Sequence, residues 1–134
     1  MRRVAYALAL VLALLVPSCA SGRAAVTKKL PEVAKLVNPQ VAEEAVYAAA
    51  KVYAAAVGTI NQLHAAGKVN EATYQRLVAA PDSVANRCRL AGSRLQLATE
   101  RWRAGTGTKD EVWTEYDLVL TTLGDLLQVA GVAR

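Results

Sequence analysis

Chemistry in this chain of 134 residues would have to come from two cysteines, Cys19 and Cys88, one histidine, His64, or the adjacent carboxylates Glu43-Glu44 and Asp110-Glu111. A general base needs a nucleophile or an orienting carboxylate within reach, and nothing in sequence supplies His64 with either. It reads as a surface or helix-end residue. Cys88 falls on an apolar seam and reads as a small buried side chain. The carboxylate pairs occupy the first turns of expected helices, where the dipole favours them. Gly105-Thr106-Gly107-Thr108 precedes a helix but lacks the lysine and the strand of a phosphate loop. With no C-x-x-C and one histidine, no metal site is expected. The residues imply no enzyme and no cofactor.

Cys19 is different because of where it stands. Arg2 and Arg3 precede an apolar run from Val4 to Val16, and small residues follow at Ser18, Ala20, Ser21 and Gly22. A charged start, a short apolar core and small residues are the parts of an export signal. The run is too short for a membrane span, which needs about 20 residues. Leu15-Val16-Pro17-Ser18-Cys19 resembles the lipobox of bacterial lipoproteins: Val16, Ser18 and Cys19 match, while Pro17 departs from the usual small or apolar residue. The resemblance covers about twenty residues and implies that residues 1–18 are a signal peptide. It further implies that Cys19 becomes the acylated first residue, anchored by acyl chains such as palmitate. Two or more chains anchor stably, at about 0.8 kcal/mol per buried methylene. With Ala20 and Ser21 rather than an aspartate after the cysteine, the resemblance implies the outer membrane, facing the periplasm, in a Gram-negative cell. The competing reading is ordinary secretion with cleavage after Ala20. Cys19 could then pair with Cys88 in an oxidising compartment.

Loss of residues 1–18 removes Arg2 and Arg3 and no acid, so the formal charge falls by two, from +5 to +3. That mild excess does not point to nucleic acid, and the arginines lack interleaved aromatics. Residues 19–38 read as a lipidated, solvated tether punctuated by Gly22, Pro31 and Asn38-Pro39. Arg23, Lys28 and Lys29 in it are candidates for contact with anionic head groups. Pro31 to Val37 could form a helical turn or two, with Leu30, Val33 and Val37 on one side.

Residues 39–134 carry helical periodicity throughout, and the expected fold is all-α, an antiparallel three-helix bundle. The first helix is capped by Asn38 with Pro39 at its first position and stopped by Gly67. Its stripe is Ala45, Ala49, Val52, Ala56, Ile60 and Leu63. Between Ala45 and Val57 the only charge is Lys51, so this helix is either the central one or partly covered by another subunit. The second helix opens at Asn70 and follows a heptad seam through Tyr74, Leu77, Pro81, Val84, Cys88, Ala91, Leu95, Ala98 and Trp102. Pro81 on that seam predicts a kink or break at residues 79–82, with Asp82 or Ser83 capping the restart. Thr108 and Glu111 form a capping box. The third helix then carries Val112, Tyr116, Val119, Leu123, Leu126 and Ala130, widened by Trp113, Leu120 and Leu127, and ends near Gly131. "LHAAGKVNEATYQRL" is similar to the helix–turn–helix of a short C-terminal domain found on many bacterial proteins. That likeness spans fifteen residues in mid-chain, as any capped hairpin would.

Residues 76–103 hold six arginines against Asp82 and Glu100, and residues 109–125 hold five acids against Lys109. The arginines therefore either complement the third helix or form a partner face, with Arg87, Arg94 and Arg101 as its candidates. The expectation is a membrane-anchored envelope lipoprotein, a non-catalytic interaction or structural module, with an envelope protein as possible partner. In size and layout it resembles small lipoproteins of prophages, some of which block superinfection or assist lysis. The alternative is a soluble periplasmic module holding an apolar ligand, which requires a cavity beside the alanine-rich first helix. Oligomeric state is not legible.

Overall fold

A computed structural model describes Val26 and residues 29–132. The described residues are mostly helical, with no strand among them. The helices are α1 (Pro39–Ala65), a short α2 (Glu71–Tyr74), α3 (Val84–Arg103) and α4 (Lys109–Val132). A 3₁₀ turn at Val33–Lys35 precedes them, and a π-helical turn at Gln75–Ala79 continues α2. Each of the three long helices touches the other two, and α3 packs most extensively on α4.

The ends of these helices follow from local chemistry. The Asn38 side chain accepts from the Val41 N–H at 2.9 Å, and Asn70 accepts from Thr73 at 2.8 Å. Each removes one of the four unpaired donors of a helix start. Gly67 and Gly105 adopt φ of 73° and 79°, the left-handed region that closes a helix without Cβ strain. After Gly67 the Lys68 N–H reaches Leu63 and the Gly67 N–H reaches His64. After Trp102 the Thr106 and Gly105 amides do the same to Arg101 and Trp102, so both helices end in a Schellman turn. Only half of the expected capping box forms. Thr108 accepts from the Glu111 N–H at 3.3 Å, while the Glu111 carboxylate lies 3.7 Å from Arg101.

Of the kink or break expected at residues 79–82, the structure shows the break, so the middle helix is not one continuous kinked helix. Proline disfavours helical geometry in the residue before it. Ala80 accordingly turns to an extended ψ of 152°, and the chain does not re-enter a helix until Val84. Ser83 supplies the new cap and Asp82 does not. Its buried hydroxyl accepts from the Asn86 N–H at 3.1 Å and donates to the Val78 carbonyl at 3.2 Å, tying both sides of the break. Pro81 itself is exposed, so the seam skips it.

The core has two parts. The larger joins Ala42, Ala45 and Ala49 of α1 to Cys88, Ala91, Leu95 and Ala98 of α3 and to Val112 through Leu123 of α4. The smaller gathers Ala56, Ile60, Leu77, Val84, Ala85, Leu126 and Ala130 around the break. All six residues expected on the α4 seam are buried. The first helix is not the central one: Ala50, Lys51, Ala54 and Ala55 are exposed, and its stripe covers one side of the α3–α4 pair.

The expected tether is corrected over its second part. Val26, Leu30 and Leu36 are buried in the larger core, so this stretch is docked rather than solvated. Replacing Ser83 by Ala removes one cap and orphans the Val78 carbonyl. The expected cost is about 1–2 kcal/mol, read as a lower midpoint in urea unfolding with an unchanged slope.

Candidate functional site

Cys19, Arg23 and Lys28, the expected anchor and two of the three basic residues expected at the head groups, lie outside the described residues, as does the expected signal peptide. The third neighbour, Lys29, is exposed beside the buried Leu30. What can be built is the place where the chain coming from that region meets the helices. Tyr116 and Trp113 sit one turn apart on α4, and each is an apolar body with a polar tip. The Tyr116 hydroxyl donates to the Pro31 carbonyl at 2.6 Å, and the Trp113 indole N–H donates to the Leu36 carbonyl at 2.9 Å. Tyr116 is wholly enclosed, and burial pushes its hydroxyl well above the ordinary tyrosine value. It is a fixed donor at any physiological pH. Residues 31–36 are thus pinned at both ends, with the 3₁₀ turn between.

The three candidate partner-face arginines divide. Arg94 reaches Glu115 at 3.3 Å and Arg101 reaches Glu111 at 3.7 Å, both on α4, while Arg87 is exposed. Arg103 pairs with Glu43 of α1. The arginines therefore complement neighbouring helices first. The arginine of each pair is more than half exposed, so each pair contributes only about 0.2–1 kcal/mol.

His64 does meet a carboxylate, which the sequence order concealed. Its Nε2 lies 2.7 Å from Glu71, and its ring stacks on Tyr74 at 3.7 Å between centroids. The Tyr74 hydroxyl in turn donates to Asn61 at 2.8 Å. The cluster staples the end of α1 to α2 across the Gly67 turn. It lies on an exposed hairpin, with Glu71 at 67% exposure, and neither cleft described below reaches it. Gln75 first and His64 second hold the Glu71 carboxyl below its ordinary value.

Two clefts flank α3. One of about 390 Å³ runs between α3 and α4, bordered by Arg94, Leu97, Arg101, Glu111, Thr114 and Glu115. The other, of about 190 Å³, lies between α1 and α3, over Val46, Ala49, Tyr53, Cys88, Gly92 and Val119. Cys88 is buried there, and burial pushes its thiol up despite the Thr122 hydroxyl beside it, so it is a poor nucleophile. The loop at Gly105–Gly107 has spent its amides on the carbonyls that end α3, which leaves no cradle for an anion. A Cβ on Gly107 would come within 2.8 Å of the Arg101 side chain, which explains the second glycine. Among the described residues no group of three or more His, Cys, Asp or Glu could hold a metal ion, and no helix is long and apolar enough to cross a membrane.

Tyr116→Phe keeps the ring and deletes the bond to Pro31. The expected result is a loss of about 1–2 kcal/mol and faster hydrogen exchange confined to residues 29–37, read by mass spectrometry. Glu71 gives a pH test. The folded chain binds its proton less readily than the unfolded one, so the contribution is full above the ordinary value of 4.5 and is lost as the pH falls through the lowered value. Glu71→Gln should lower Tm at neutral pH, and the gap to the unaltered protein should close on acidification below that window. Comparison with family models, with curated proteins and with solved structures finds no match to this chain.

Proposed function

We propose that this chain is an exported envelope lipoprotein, acylated at Cys19, whose residues 39–132 form an antiparallel three-helix bundle acting as a non-catalytic interaction or structural module. The antiparallel arrangement is supported by cross-helix neighbours that run in opposite senses. Descending α3 from Arg101 to Arg94 to Cys88, the partners on α4 ascend from Glu111 to Glu115 to Thr122. Between α1 and α3, Glu43 meets Arg103 while Tyr53 neighbours Cys88 and Arg89.

The observation that carries the reading is the docked segment. A chain that only needed to hang from a lipid could leave the residues after its cysteine in water. Here Leu30 and Leu36 are sunk into the core and two aromatic side chains hold the backbone between them. A segment docked this way suits a module that must be presented at a membrane in a fixed way. Lys29 and Lys35 stay exposed on that segment, where each can contribute up to about 1 kcal/mol against anionic head groups.

The second reading, an apolar-ligand module in the periplasm, draws on the cleft beside α1. Its volume of about 190 Å³ is below the roughly 300 Å³ at which small-molecule pockets begin, so it ranks behind. Intact mass of the protein extracted from membranes, beside Cys19→Ser, separates the two. The first reading expects a chain starting at Cys19 and heavier by several acyl chains, with both the added mass and membrane retention lost in the variant. An unmodified chain starting at Ser21 or later in the soluble fraction would overturn it in favour of the second.

A further inference from the structure

All three exposed leucines among the described residues lie along one side of the α3–α4 pair. Leu90, Leu97 and Leu118 are 45%, 53% and 41% exposed. Leu90 and Leu97 stand seven residues apart on α3 and alternate with Arg87, Arg94 and Arg101, which makes one helical stripe. Arg94 and Arg101 turn toward Glu115 and Glu111, so the stripe borders α4. On α4, Leu118 follows Glu111 by seven and Glu115 by three, which puts it on the same stripe as those acids. The face therefore has a basic row on one helix and an acidic row on its neighbour, with leucines in both. The cleft of about 390 Å³ runs between the rows.

We infer that this face binds a second copy of the chain about a two-fold axis running along the helices, an arrangement that rests on the antiparallel bundle proposed above. Two rows of opposite sign allow two ways of meeting a copy. An axis across the helices would set α3 over the partner's α3, arginine facing arginine, which is repulsive. An axis along them sets α3 over the partner's α4, so Arg94 and Arg101 lie over the partner's Glu115 and Glu111. The same operation brings the leucines together. Leu118 lies between Glu115, abreast of Arg94, and Thr122, abreast of Cys88, so across the axis it faces the partner's Leu90. The contact is isologous and closes as a pair. The 20 residues of α3 span about 30 Å, and two helices about 10 Å wide give roughly 600 Å² per copy. That is below the about 800 Å² of a standard stable interface. The pair is weak in dilute solution, and confinement to one surface would raise its occupancy by effective concentration.

The test uses two full-length chains with different tags, one Leu90→Cys and one Leu118→Cys, co-expressed and oxidised with copper phenanthroline before fractionation. The expected result is a disulfide-linked product carrying both tags, absent from chains without the added cysteines and weak when Leu90→Cys is paired with itself. Adding Leu118→Glu to the Leu90→Cys chain and Leu90→Glu to the Leu118→Cys chain should abolish the product while circular dichroism and Tm stay unchanged. No product from cysteines that react freely with a maleimide overturns the inference. Unreactive cysteines overturn it as well, since another segment or protein then covers the face. A dominant Leu90→Cys self-product overturns the axis. Mass spectrometry of the same samples keeps the two proposals apart. A cross-link with an unmodified Cys19 counts against the anchor alone, and an acylated Cys19 without a cross-link counts against the pair alone.

Discussion

A tyrosine ring cannot be sealed from water unless its hydroxyl finds a partner, and Tyr116 is the largest wholly buried side chain among the described residues. The acceptor it finds is the carbonyl of Pro31, in chain outside the long helices. Proline lacks an N–H of its own to satisfy, so a segment built around it can be laid over a core at low polar cost. Leu30 and Leu36 then fill the space on either side, and Trp113 repeats the arrangement one turn away. A single buried donor thus decides where the helical domain begins, which is earlier than the first long helix.

The other end of the molecule is organised by a different necessity. Where Pro81 interrupts the chain, carbonyls and amides on both sides lose their ladder partners. The Ser83 hydroxyl, both donor and acceptor, serves one of each, and beside the break Leu77 and Val84 join one apolar cluster with Ile60 and Leu126. The break also makes α3 start at Val84, so its length suits its neighbours. Between these two ends α1 supplies mainly alanines, which let the α3–α4 pair approach it closely without giving it much buried area of its own.

Periodicity made the helices legible. The α4 seam could be written down residue by residue because leucines, valines and Tyr116 recur at threes and fours, and the caps at Asn38, Asn70 and Gly67 are each set by one side chain or one φ. Three things were hidden. Residues 30–36 are too short to show a period, and their burial depends on donors more than 75 positions away. The signal that could have found them is the pair of polar-tipped aromatics on an otherwise aliphatic seam. The pairing of His64 with Glu71 was masked because a hairpin turn at Gly67 is legible while the side chains that meet across it are not. The alanine-rich middle of α1 was ambiguous by nature, since alanine is equally at home buried or exposed. The proposed export and acylation rest on residues 2–22, which lie outside the described residues, so the helices carry no trace of them.

The docked segment also sets a leash. Val26 is already sunk in the core, only seven positions beyond Cys19. Fully extended, those seven residues span at most about 25 Å, less than the length of α1 at roughly 1.5 Å per residue over its 27 residues. If Cys19 carries a lipid as proposed, a domain held so short would not search the space beyond its own bilayer. It would drift and collide sideways as a raft-like object, and what it could recognise would be limited to whatever else is moored within that thin layer.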